Sequence, residues 1–356
     1  MIAIQRNLAG FTRRWVDYCE RSGLAYQCVD VFTIEGREAA SRSEAFFWHL
    51  SHESACDMLI ALPLMSALAS SGVRVFPAPA QLWHFDDKLA QAWFFEQQGF
   101  PTPTTTPVFS VHQAKRFLSQ TKFPVIGKLR RGSASSNVFM IRNQREGMQY
   151  ARKAFGHGFS LFNTRSRYAD LWRQAASARE KLAVAAKRVY RTFSPPAYAR
   201  QLPREKGYFL FQTFIENDGS DVRVVVVGDR AVALRRQVRH DDFRASGSGR
   251  IAFPDETLNP EYIRLAFEVT ERLGVVSMGM DFIESTTGEI QLIEMSYGFP
   301  AENFLDGAGG TWNRKLEFTR EEIRLMDWMI EAVLAPSSTD REPRAARHAA
   351  RESTND

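Results

Sequence analysis

Two acidic residues near the C-terminal end of the sequence, Asp281 and Glu294, lie in neighbouring apolar segments. The segments, MDFIE and IQLIEMS, have the composition of two short strands, and Gly288 lies in the connection between them. If Thr287 and Gly288 form a two-residue hairpin turn, Asp281 pairs directly with Glu294. The sequence therefore predicts two carboxylates on one face of a hairpin, with Cβ atoms roughly 5 Å apart.

Two like charges in this position destabilise a hairpin unless a cation lies between them. A divalent ion with oxygen ligands satisfies this requirement, and Mg²⁺ that arrives with nucleotide phosphates is the usual case. Ser296 follows Glu294 by two residues, so it lies on the same strand face and can add a ligand. The alternative is a surface hairpin with two solvated acids. We take Asp281, Glu294 and Ser296 as candidate metal ligands.

A second candidate site surrounds Lys128, at the end of the apolar segment FPVIGK. The segment continues into LRRGSASSNV and reads as a strand, a loop of small residues and a second strand. A lysine supplies a point charge for a phosphate, and small residues let backbone N–H groups approach an anion while hydroxyl groups add donors. The loop is not a Walker P-loop, since no helix and no GK[ST] follow. A Ser-rich hairpin turn is the commoner structure for such a segment.

Basic residues accumulate beside the acidic segments, between residues 221 and 250. Simple strand alternation places Arg235 and Arg239 on one face and Arg236 on the other. A sheet that carries acids and arginines on one face suits metal-bound phosphates and a developing acyl phosphate. The following loop, FRASGSGR, is small and rich in donors, as expected of a loop that closes over an anion.

Length and composition limit the class of protein. With 356 residues, 44% hydrophobic and 24% charged, the chain matches a soluble globular protein of two or three domains. Its three cysteines lack metal-type spacing and favour a reducing, cytoplasmic compartment. The N-terminus lacks the apolar core of a signal peptide, and no apolar run is long enough to span a membrane. The net charge of +5 suits a polyanionic substrate without requiring nucleic acid.

The predicted helices and strands fall into three units and a tail. Residues 1–80 read as a small α/β unit, in which Pro63 predicts a kink or break of a helix. Residues 81–206 form a second unit that ends in a basic, mostly helical insert, 160–206. Residues 207–334 form a third unit, which includes a strand at 208–214, the acidic hairpin and a last helix over 317–334. The tail, 335–356, is predicted to be disordered.

The basic insert has two interpretations. A solvated helix on the protein surface is the commoner explanation for the pattern YADLWRQAASAREKLAVAAKRVYR. Contact with an anionic substrate or carrier, an anionic acceptor, is the alternative.

In their order along the chain, these motifs resemble the ATP-grasp superfamily. The motifs are FDDK at the start of a helix, FPVIGK before a small-residue loop, FQTFI before DVRVVVVGDR, and MGMDF before LIEMSYGF. WHFDDK, FRASGSG and IEMSYGF are similar to a bacterial subgroup of ATP-grasp proteins, and the resemblance covers roughly residues 1–334. It implies a fold of the α/β and α+β classes, with an N-terminal Rossmann-like pre-ATP-grasp domain and two α+β lobes that hold ATP between their sheets.

The resemblance also implies a role for individual residues. It places ATP phosphates at Lys88 and Lys128, and Mg²⁺ (or Mn²⁺) at Asp281 and Glu294, with Ser296 where the family usually has Asn. Arg235 and Arg244 become candidate catalytic residues that hold phosphate or substrate carboxylate. The further residues expected to bind ATP lie in the small-residue loop and in an interlobe hinge that contacts the adenine edge: Ser133, Ser135, Ser136, Gln212, Thr213, Phe214 and Ile215.

The activity that the resemblance implies is that of an ATP-dependent carboxylate–amine ligase. Such an enzyme phosphorylates a small-molecule carboxylate and passes the acyl phosphate to an amine, releasing ADP and phosphate. A phosphotransferase that acts on a hydroxyl and an ATP-binding protein without turnover are the alternatives. No catalytic histidine is needed for this activity, so we interpret the histidines as structural or surface residues: His49, His52, His84, His157 and His240.

Overall fold

Three β-sheets organise the part of the chain that the structure describes. The computed structural model describes residues 1–6, 10–132, 137–162, 168, 171–172, 175, 177–238, 250–305 and 307–336. Within these residues no helix is long and apolar enough to cross a membrane.

The N-terminal sheet is parallel, with the strand order β2-β1-β3-β4. Its elements alternate between strands and helices, as the sequence predicts for an α/β unit, with one helix (α2) that the sequence analysis missed. They are β1 (Ile2–Gln5), α1 (Phe11–Arg21), β2 (Tyr26–Val29), α2 (Ile34–Arg42), β3 (Ala45–Phe47), α3 (Ala55–Ser70) and β4 (Arg74–Phe76).

Helix α3 runs through Pro63 without a break, so the predicted interruption is wrong. A proline removes one hydrogen bond, to the carbonyl four residues earlier. That carbonyl belongs to Leu59, which is exposed, so water can satisfy it. Ala61 and Met65 are buried on either side of the proline and hold the helix against the sheet.

The central sheet is antiparallel, with the order β5-β8-β6-β7. Local sequence signals fix the ends of its helices: Asp87 caps α5 and Ser110 caps α6 through side-chain oxygens, and Gly99 ends α5 in the left-handed conformation. The elements are α4 (Pro79–Leu82), α5 (Lys88–Gln98), β5 (Thr105–Val108), α6 (Val111–Gln120), β6 (Val125–Lys128), β7 (Val138–Ile141), α7 (Gln144–Phe155), α8 (Ala178–Phe193), α9 (Ala197–Gln201) and β8 (Phe209–Thr213).

Strand β8 corrects the predicted boundary between the second and third units. The sequence analysis assigned this strand to the C-terminal unit, but β8 pairs with both β5 and β6 of the central sheet. Phe209 and Phe211 belong to the core of the central lobe, so their burial holds the strand there. The change of lobe therefore falls after Thr213, beyond the predicted boundary at residue 206.

The C-terminal sheet is antiparallel, with the order β13-β12-β9-β10-β14-β15, and β11 pairs with β10. The predicted last helix over 317–334 is shorter than expected, because residues 318–319 form a strand against β14, with the Trp312 and Phe318 rings in contact. The elements are β9 (Ser220–Val227), β10 (Arg230–Gln237), β11 (Ile251–Ala252), α10 (Pro260–Leu273), β12 (Ser277–Glu284), β13 (Ile290–Ser296), α11 (Glu302–Leu305), β14 (Thr311–Trp312), β15 (Phe318–Thr319) and α12 (Leu325–Leu334).

The N-terminal unit and the C-terminal sheet share one continuous core, whereas the central lobe has a separate core. Phe76 and Tyr297 meet with ring centroids 5.9 Å apart across the shared core. Helix α12 packs on α1, where Arg21 donates hydrogen bonds to both carboxylate oxygens of Asp327. The site residues described next lie where the central lobe meets this larger body.

Candidate active site

The acidic hairpin brings Asp281 and Glu294 together as directly paired residues, which confirms the predicted pairing. The turn is nevertheless longer than predicted: Ser285 donates its backbone N–H to the Glu289 carbonyl, so residues 286–288 form a three-residue loop. This longer loop alone would shift the pairing by one residue. A β-bulge directly after Asp281 shifts it back.

Two arginines neutralise Asp281, whose side chain is 7% exposed. Arg223 binds both carboxylate oxygens through its Nε and Nη2 atoms, at 2.6 and 2.7 Å. Arg236 Nη2 lies 2.9 Å from Asp281 Oδ2. Burial raises the pKa of Asp281, but the two guanidinium groups outweigh it and hold that pKa below its usual range.

Asp221 completes this charged group, because its carboxylate receives both Nε and Nη2 of Arg236, each at 2.7 Å. Burial raises the pKa of Asp221 to about 6, against the effect of Arg236. The paired registers of β9, β10 and β12 place the four side chains on one face of the sheet. Two acids and two arginines therefore compensate each other, where the sequence analysis expected a cation between Asp281 and Glu294.

Glu294 has a cation of its own, Lys88, whose Nζ lies 3.2 Å from Glu294 Oε1. The same Nζ donates a hydrogen bond to the Gly132 carbonyl in the loop after β6. Burial lowers the pKa of Lys88, but the nearby carboxylates of Glu294 and Asp86 raise it above its usual range. Glu294 remains 39% exposed, so its carboxylate is open on its other side.

The FDDK motif holds the start of the small-residue loop. Asp86 accepts a hydrogen bond from the Gly132 N–H at 2.9 Å, and Asp87 accepts two from the Arg130 guanidinium. The backbone N–H of Lys88 donates to the Arg130 carbonyl. Asp86 and Asp87, neither of which is among the predicted site residues, thus position the loop. Asp87 also caps α5 through its side chain.

Arg131, in the loop that follows β6, has a structural contact. Its Nε donates to Glu205 Oε1 at 2.7 Å, and Glu205 is buried. Glu205 also accepts a hydrogen bond from the Tyr208 hydroxyl, whose oxygen accepts the Arg130 N–H at 2.7 Å. The last residues of the basic insert therefore support the loop from the side opposite the FDDK motif.

Lys128 differs from these charges because no side chain in the described ranges forms an ion pair or hydrogen bond with its ammonium. Burial lowers the pKa of Lys128 to about 8, with Glu294 opposing the shift and Lys88 adding to it. An unpaired ammonium of this kind is suited to bind an anion. The structure places Lys128 beside Lys88 and Glu294, as the phosphate-site prediction requires.

The link between β8 and β9 joins the central and C-terminal sheets and contains the predicted hinge residues. Gln212 is buried and donates to the Thr105 hydroxyl at 2.9 Å. Thr213 ends β8, and Phe214 and Ile215 follow in irregular structure. All four of the predicted residues line one cavity, together with Lys88 and Lys128.

Two cavities meet at the acidic pair. Asp281 and Glu294 line the cavity at the interlobe link and also a larger cleft of about 580 Å³. The cleft lies between the N-terminal unit and the C-terminal sheet, and the polar residues that line it include Asp86, His49, His52, Arg223, Arg236 and Ser296. The acids therefore stand between a compartment with two lysines and one with two arginines.

Arg235 is a wrong assignment, because it lies on the opposite face of the sheet from Asp281. It pairs with Val222 in register and donates to the Ser220 hydroxyl, at 2.9 Å. Its neighbour Arg236 lines the cleft instead. The sequence contains the signal that was missed: a two-residue turn at Gly228 and Asp229 pairs Arg236 with Asp221, and places the paired side chains on one face.

Some predicted residues lie outside the described ranges. They are Ser133, Ser135, Ser136, Arg239, His240 and Arg244, with the loop 243–249 and most of the predicted tail.

The oxygen ligands present fit a hard divalent cation that also binds phosphates. A carboxylate offers about four lone-pair positions, and Asp281 uses three of them for arginine N–H groups. Ser296 Oγ donates to the Gly298 carbonyl at 2.9 Å and accepts the Gly298 N–H at 3.2 Å, so one of its two lone pairs stays free. No cluster of three or more His, Cys, Asp or Glu converges in the described ranges. One or two carboxylates plus phosphate oxygens are the usual Mg²⁺ environment, and Asp281 and Glu294 match it.

The match to a known protein family falls in the C-terminal half of the chain. Residues 197–299 match the RimK-like ATP-grasp domain family, and this range contains Arg223, Arg236, Asp281, Glu294 and Ser296. The chain is similar to a probable alpha-L-glutamate ligase of Cellvibrio japonicus, with 23% identity over 296 residues, 78% of this chain and 81% of that protein. Further curated alpha-L-glutamate ligases match over 90 to 93 residues, less than a third of their own length.

Solved structures share the fold over nearly the whole chain. A RimK domain protein ATP-grasp from Sphaerobacter thermophilus superposes with a TM-score of 0.54 and 16% identity, covering 94% of this chain and 100% of that one. The biotin carboxylase domain of 2-oxoglutarate carboxylase from Hydrogenobacter thermophilus, solved with MgADP, ADP and bicarbonate, superposes with a TM-score of 0.58 and 14% identity. That match covers 94% of this chain and 70% of the other.

Proposed function

We propose that this chain, which has the ATP-grasp fold and carries a RimK-like ATP-grasp domain, is an ATP-dependent carboxylate–amine ligase. In the proposed reaction a substrate carboxylate oxygen attacks the γ-phosphorus of ATP, and ADP leaves. The amine then attacks the carbonyl carbon of the acyl phosphate, phosphate leaves with its electron pair, and the nitrogen gives up protons as the amide forms.

The observation that carries this proposal is the position of the acidic pair between two compartments. A ligase of this type must bring the γ-phosphate of ATP to a carboxylate, so the nucleotide and acid sites have to adjoin. Asp281 and Glu294 line both cavities, and each cavity carries its own cations. The arrangement supports a phosphoryl transfer across the acidic pair.

On the nucleotide side we assign ATP to the cavity at the interlobe link. In this proposal Lys88 and Lys128 contact the phosphates and the segment from Gln212 to Ile215 contacts the adenine, since all of these residues line the cavity. The hydroxyl groups of Ser133, Ser135 and Ser136 are proposed as further phosphate donors.

The metal role is proposed for Asp281, Glu294 and Ser296. A bound Mg²⁺ neutralises charge on the phosphates and on the transferred group. Mn²⁺ prefers similar oxygen ligands and is the second metal to test. Glu294 is the better placed of the two acids, because its carboxylate is half-exposed, whereas Asp281 is already bound by two arginines.

On the acid side we assign the substrate carboxylate to the larger cleft, near Arg223 and Arg236. Their guanidinium groups are held on Asp221 and Asp281, so they present fixed positive charge and need little reorganisation. Arg236 takes the role that the sequence analysis gave to Arg235. Arg244 stays a proposed anion-binding residue of the closing loop.

The experiment is an ADP-release assay with paired acids and amines. The curated relatives carry the name alpha-L-glutamate ligase, so L-glutamate is the first acid and the first amine to test. A ligase releases ADP when both an acid and an amine are present. ADP release with an alcohol alone would establish the phosphotransferase instead, and ATP binding without any turnover would establish a binding protein.

We also propose that the basic insert, 160–206, receives an anionic acceptor. Every described residue of α8 has exposed or half-exposed surface, and its cations point into solvent with few acids to compensate them. Trp172, which is half-exposed, lines a groove with Arg188 on the same insert.

The proposed domain limits are residues 1–80, 81–213 and 214–334. The three free cysteines support a cytoplasmic location.

A further inference from the structure

Amide formation from an amine substrate requires a group that accepts a proton. An amine at neutral pH is mostly an ammonium ion, which has no lone pair for attack on an acyl phosphate. General-base catalysis supplies the missing step when a side chain of suitable pKa lies within reach of the nitrogen. The following inference rests on the proposed ligase function.

His52 is the side chain in the larger cleft that best fits this requirement. It lies just before α3, lines the cleft together with Asp281 and Glu294, and is 33% exposed. Its ring stacks on Phe85 with centroids 4.5 Å apart and planes 20° from parallel. The imidazole is therefore fixed in orientation while one edge stays open to the cleft.

Asp86 lies behind this imidazole. Its Oδ2 is 3.7 Å from His52 Nδ1, and its side chain is 10% exposed. Its Oδ1 accepts the Gly132 N–H, which ties the carboxylate to the start of the small-residue loop. Asp86 has a φ of 51°, a left-handed conformation that is uncommon for a residue other than glycine and is often found at functional sites.

A carboxylate behind a histidine stabilises the imidazolium that forms when the ring takes up a proton. The pKa of Asp86 itself lies below its usual range. Burial raises this pKa, but the lowering effect of His52 and Lys88 is larger. Asp86 thus stays ionised and keeps a negative charge next to the ring at neutral pH.

The other titratable groups in the cleft have different partners. His49 accepts the Phe11 N–H at its Nδ1. Lys88 binds Glu294, and the two arginines bind Asp221 and Asp281. Burial lowers the pKa of His84, two residues before Asp86 in the sequence, to about 4, and His84 does not line the cleft. Further charged groups that face the cleft are Asp281, Glu294 and Glu302.

We propose that His52 and Asp86 form the subsite for the amine nucleophile, in which His52 accepts a proton from the amine nitrogen as the C–N bond forms. The amine approaches from the N-terminal side of the cleft, and the acyl phosphate lies on the side of the acidic pair. The ammonium first releases one proton to water. The free amine then attacks the carbonyl carbon and passes a second proton to the open ring nitrogen of His52, the phosphate leaves with the electron pair of the C–O bond, and Asp86 holds the resulting imidazolium.

Hydroxylamine separates this proton transfer from the earlier phosphorylation step. It is largely unprotonated at neutral pH and traps an acyl phosphate as a hydroxamate without a general base. The assay compares hydroxamate and amide formation by wild type, His52→Gln and Asp86→Asn, using the acid and amine that release ADP in the screen above. Asparagine at position 86 can keep the hydrogen bond from Gly132 and tolerates positive φ.

We expect His52→Gln to lower amide formation by roughly 10²-fold while hydroxamate formation stays within about twofold of wild type. Asp86→Asn should show the same selective loss, but smaller. His157→Gln, an exchange of the same residue type on the exposed surface of the central lobe, should leave both products unchanged.

Equal loss of amide and hydroxamate in His52→Gln would overturn the inference, because it would indicate a role in folding or in phosphorylation. Unchanged amide formation would overturn it as well. The proposed function fails in a different way: wild type would then form no hydroxamate with any acid of the screen, and the inference about His52 would fall with it.

Discussion

The two sheets that border the cavity at the interlobe link differ in how their charges are paired. On the C-terminal sheet, Asp221, Arg223, Arg236 and Asp281 bind one another at 2.6 to 2.9 Å. On the central sheet, Lys128 has no side-chain partner in the described residues, and burial lowers its pKa to about 8. Among the described residues, the first set of charges is paired without a ligand, whereas the Lys128 ammonium is not.

This difference separates residues that stabilise the sheet in addition to their proposed binding roles from a lysine whose only proposed role is to bind. A buried network in which every charge is paired keeps its geometry before substrate arrives, which is the condition for preorganised electrostatics. A buried, unpaired ammonium instead reduces stability until an anion arrives. Substitutions in the first set should therefore lower the free energy of unfolding as well as affect binding, whereas substitution of Lys128 should mainly weaken nucleotide binding.

The largest effect is expected for Arg236→Met. The change leaves the carboxylates of Asp221 and Asp281 buried with less positive charge, which typically costs 3–5 kcal/mol, so we expect a loss of about that size in the free energy of unfolding. Chemical denaturation measures it. The matched control is Arg235→Met on the same strand, where a partly exposed side chain should cost less than about 1 kcal/mol. Equal losses in the two variants would contradict the paired network.

Glu294→Gln should remove most activity without unfolding the protein. The half-exposed carboxylate is proposed to bind the metal, and its loss should lower ADP release by roughly 10²-fold. Thermal unfolding should also lose the stabilisation that Mg-nucleotide gives wild type. Glu289→Gln, in the exposed turn of the same hairpin, is the control and should behave as wild type. Normal turnover by Glu294→Gln would refute the metal assignment.

Lys128→Met should raise the Kd for ATP by about 10-fold or more, since it removes the unpaired ammonium that faces the phosphates. Isothermal titration calorimetry with an ATP analogue gives this value directly. Lys115→Met, on the exposed face of α6, removes the same charge at a distance and should leave the Kd nearly unchanged. Equal weakening by both would point to general electrostatic attraction.

The pKa of Lys128 gives a pH dependence with a definite sign. The free enzyme loses this charge near pH 8, so kcat/KM for ATP should fall as the pH rises through about 8. Lys128→Arg keeps its charge and should not show that decline. The contribution of Lys128 to the free energy of unfolding has the opposite pH dependence. Between about pH 8 and pH 10.5 the unfolded state binds more protons than the folded state, so stability rises with pH. Thermal melts of wild type against Lys128→Met across this range check the second trend.

The parts of the fold that the sequence predicts well depend on local chemistry. Side-chain caps at Asp87, Ser110 and Asn259 and the left-handed Gly99 specify where helices begin and end. Local signals do not predict which sheet contains β8, because an apolar strand can pair with any sheet whose core buries its side chains. Its Phe residues find that core in the central lobe, which only the tertiary structure reveals.

The site shows the same division. Asp281 and Glu294 are close in sequence and joined by one hairpin, so a register argument predicts their pairing. Alternation along β10 separates Arg235 from Arg236, but it does not say which of them shares a face with the acids. The register of the β9–β10 hairpin supplies this information. His52 and Asp86 lie on separate elements of the chain, and no local pattern predicts that they meet.

The smallest effect is expected on the basic insert, because its helix α8 lines neither of the two cavities at the acidic pair. Reversing two exposed charges of α8, with Arg179→Glu and Lys187→Glu together, should raise KM for an anionic acceptor several-fold through weaker electrostatic attraction. KM for ATP should not change, since the nucleotide residues lie on other elements. Lys115→Glu with Arg116→Glu on α6 is a control with the same charge change. Increasing salt should reduce the difference between the insert variant and wild type, because exposed charges are screened. If steady-state kinetics show the same KM for the acceptor in all three proteins, the insert is a solvated surface helix and its cations have no part in substrate binding.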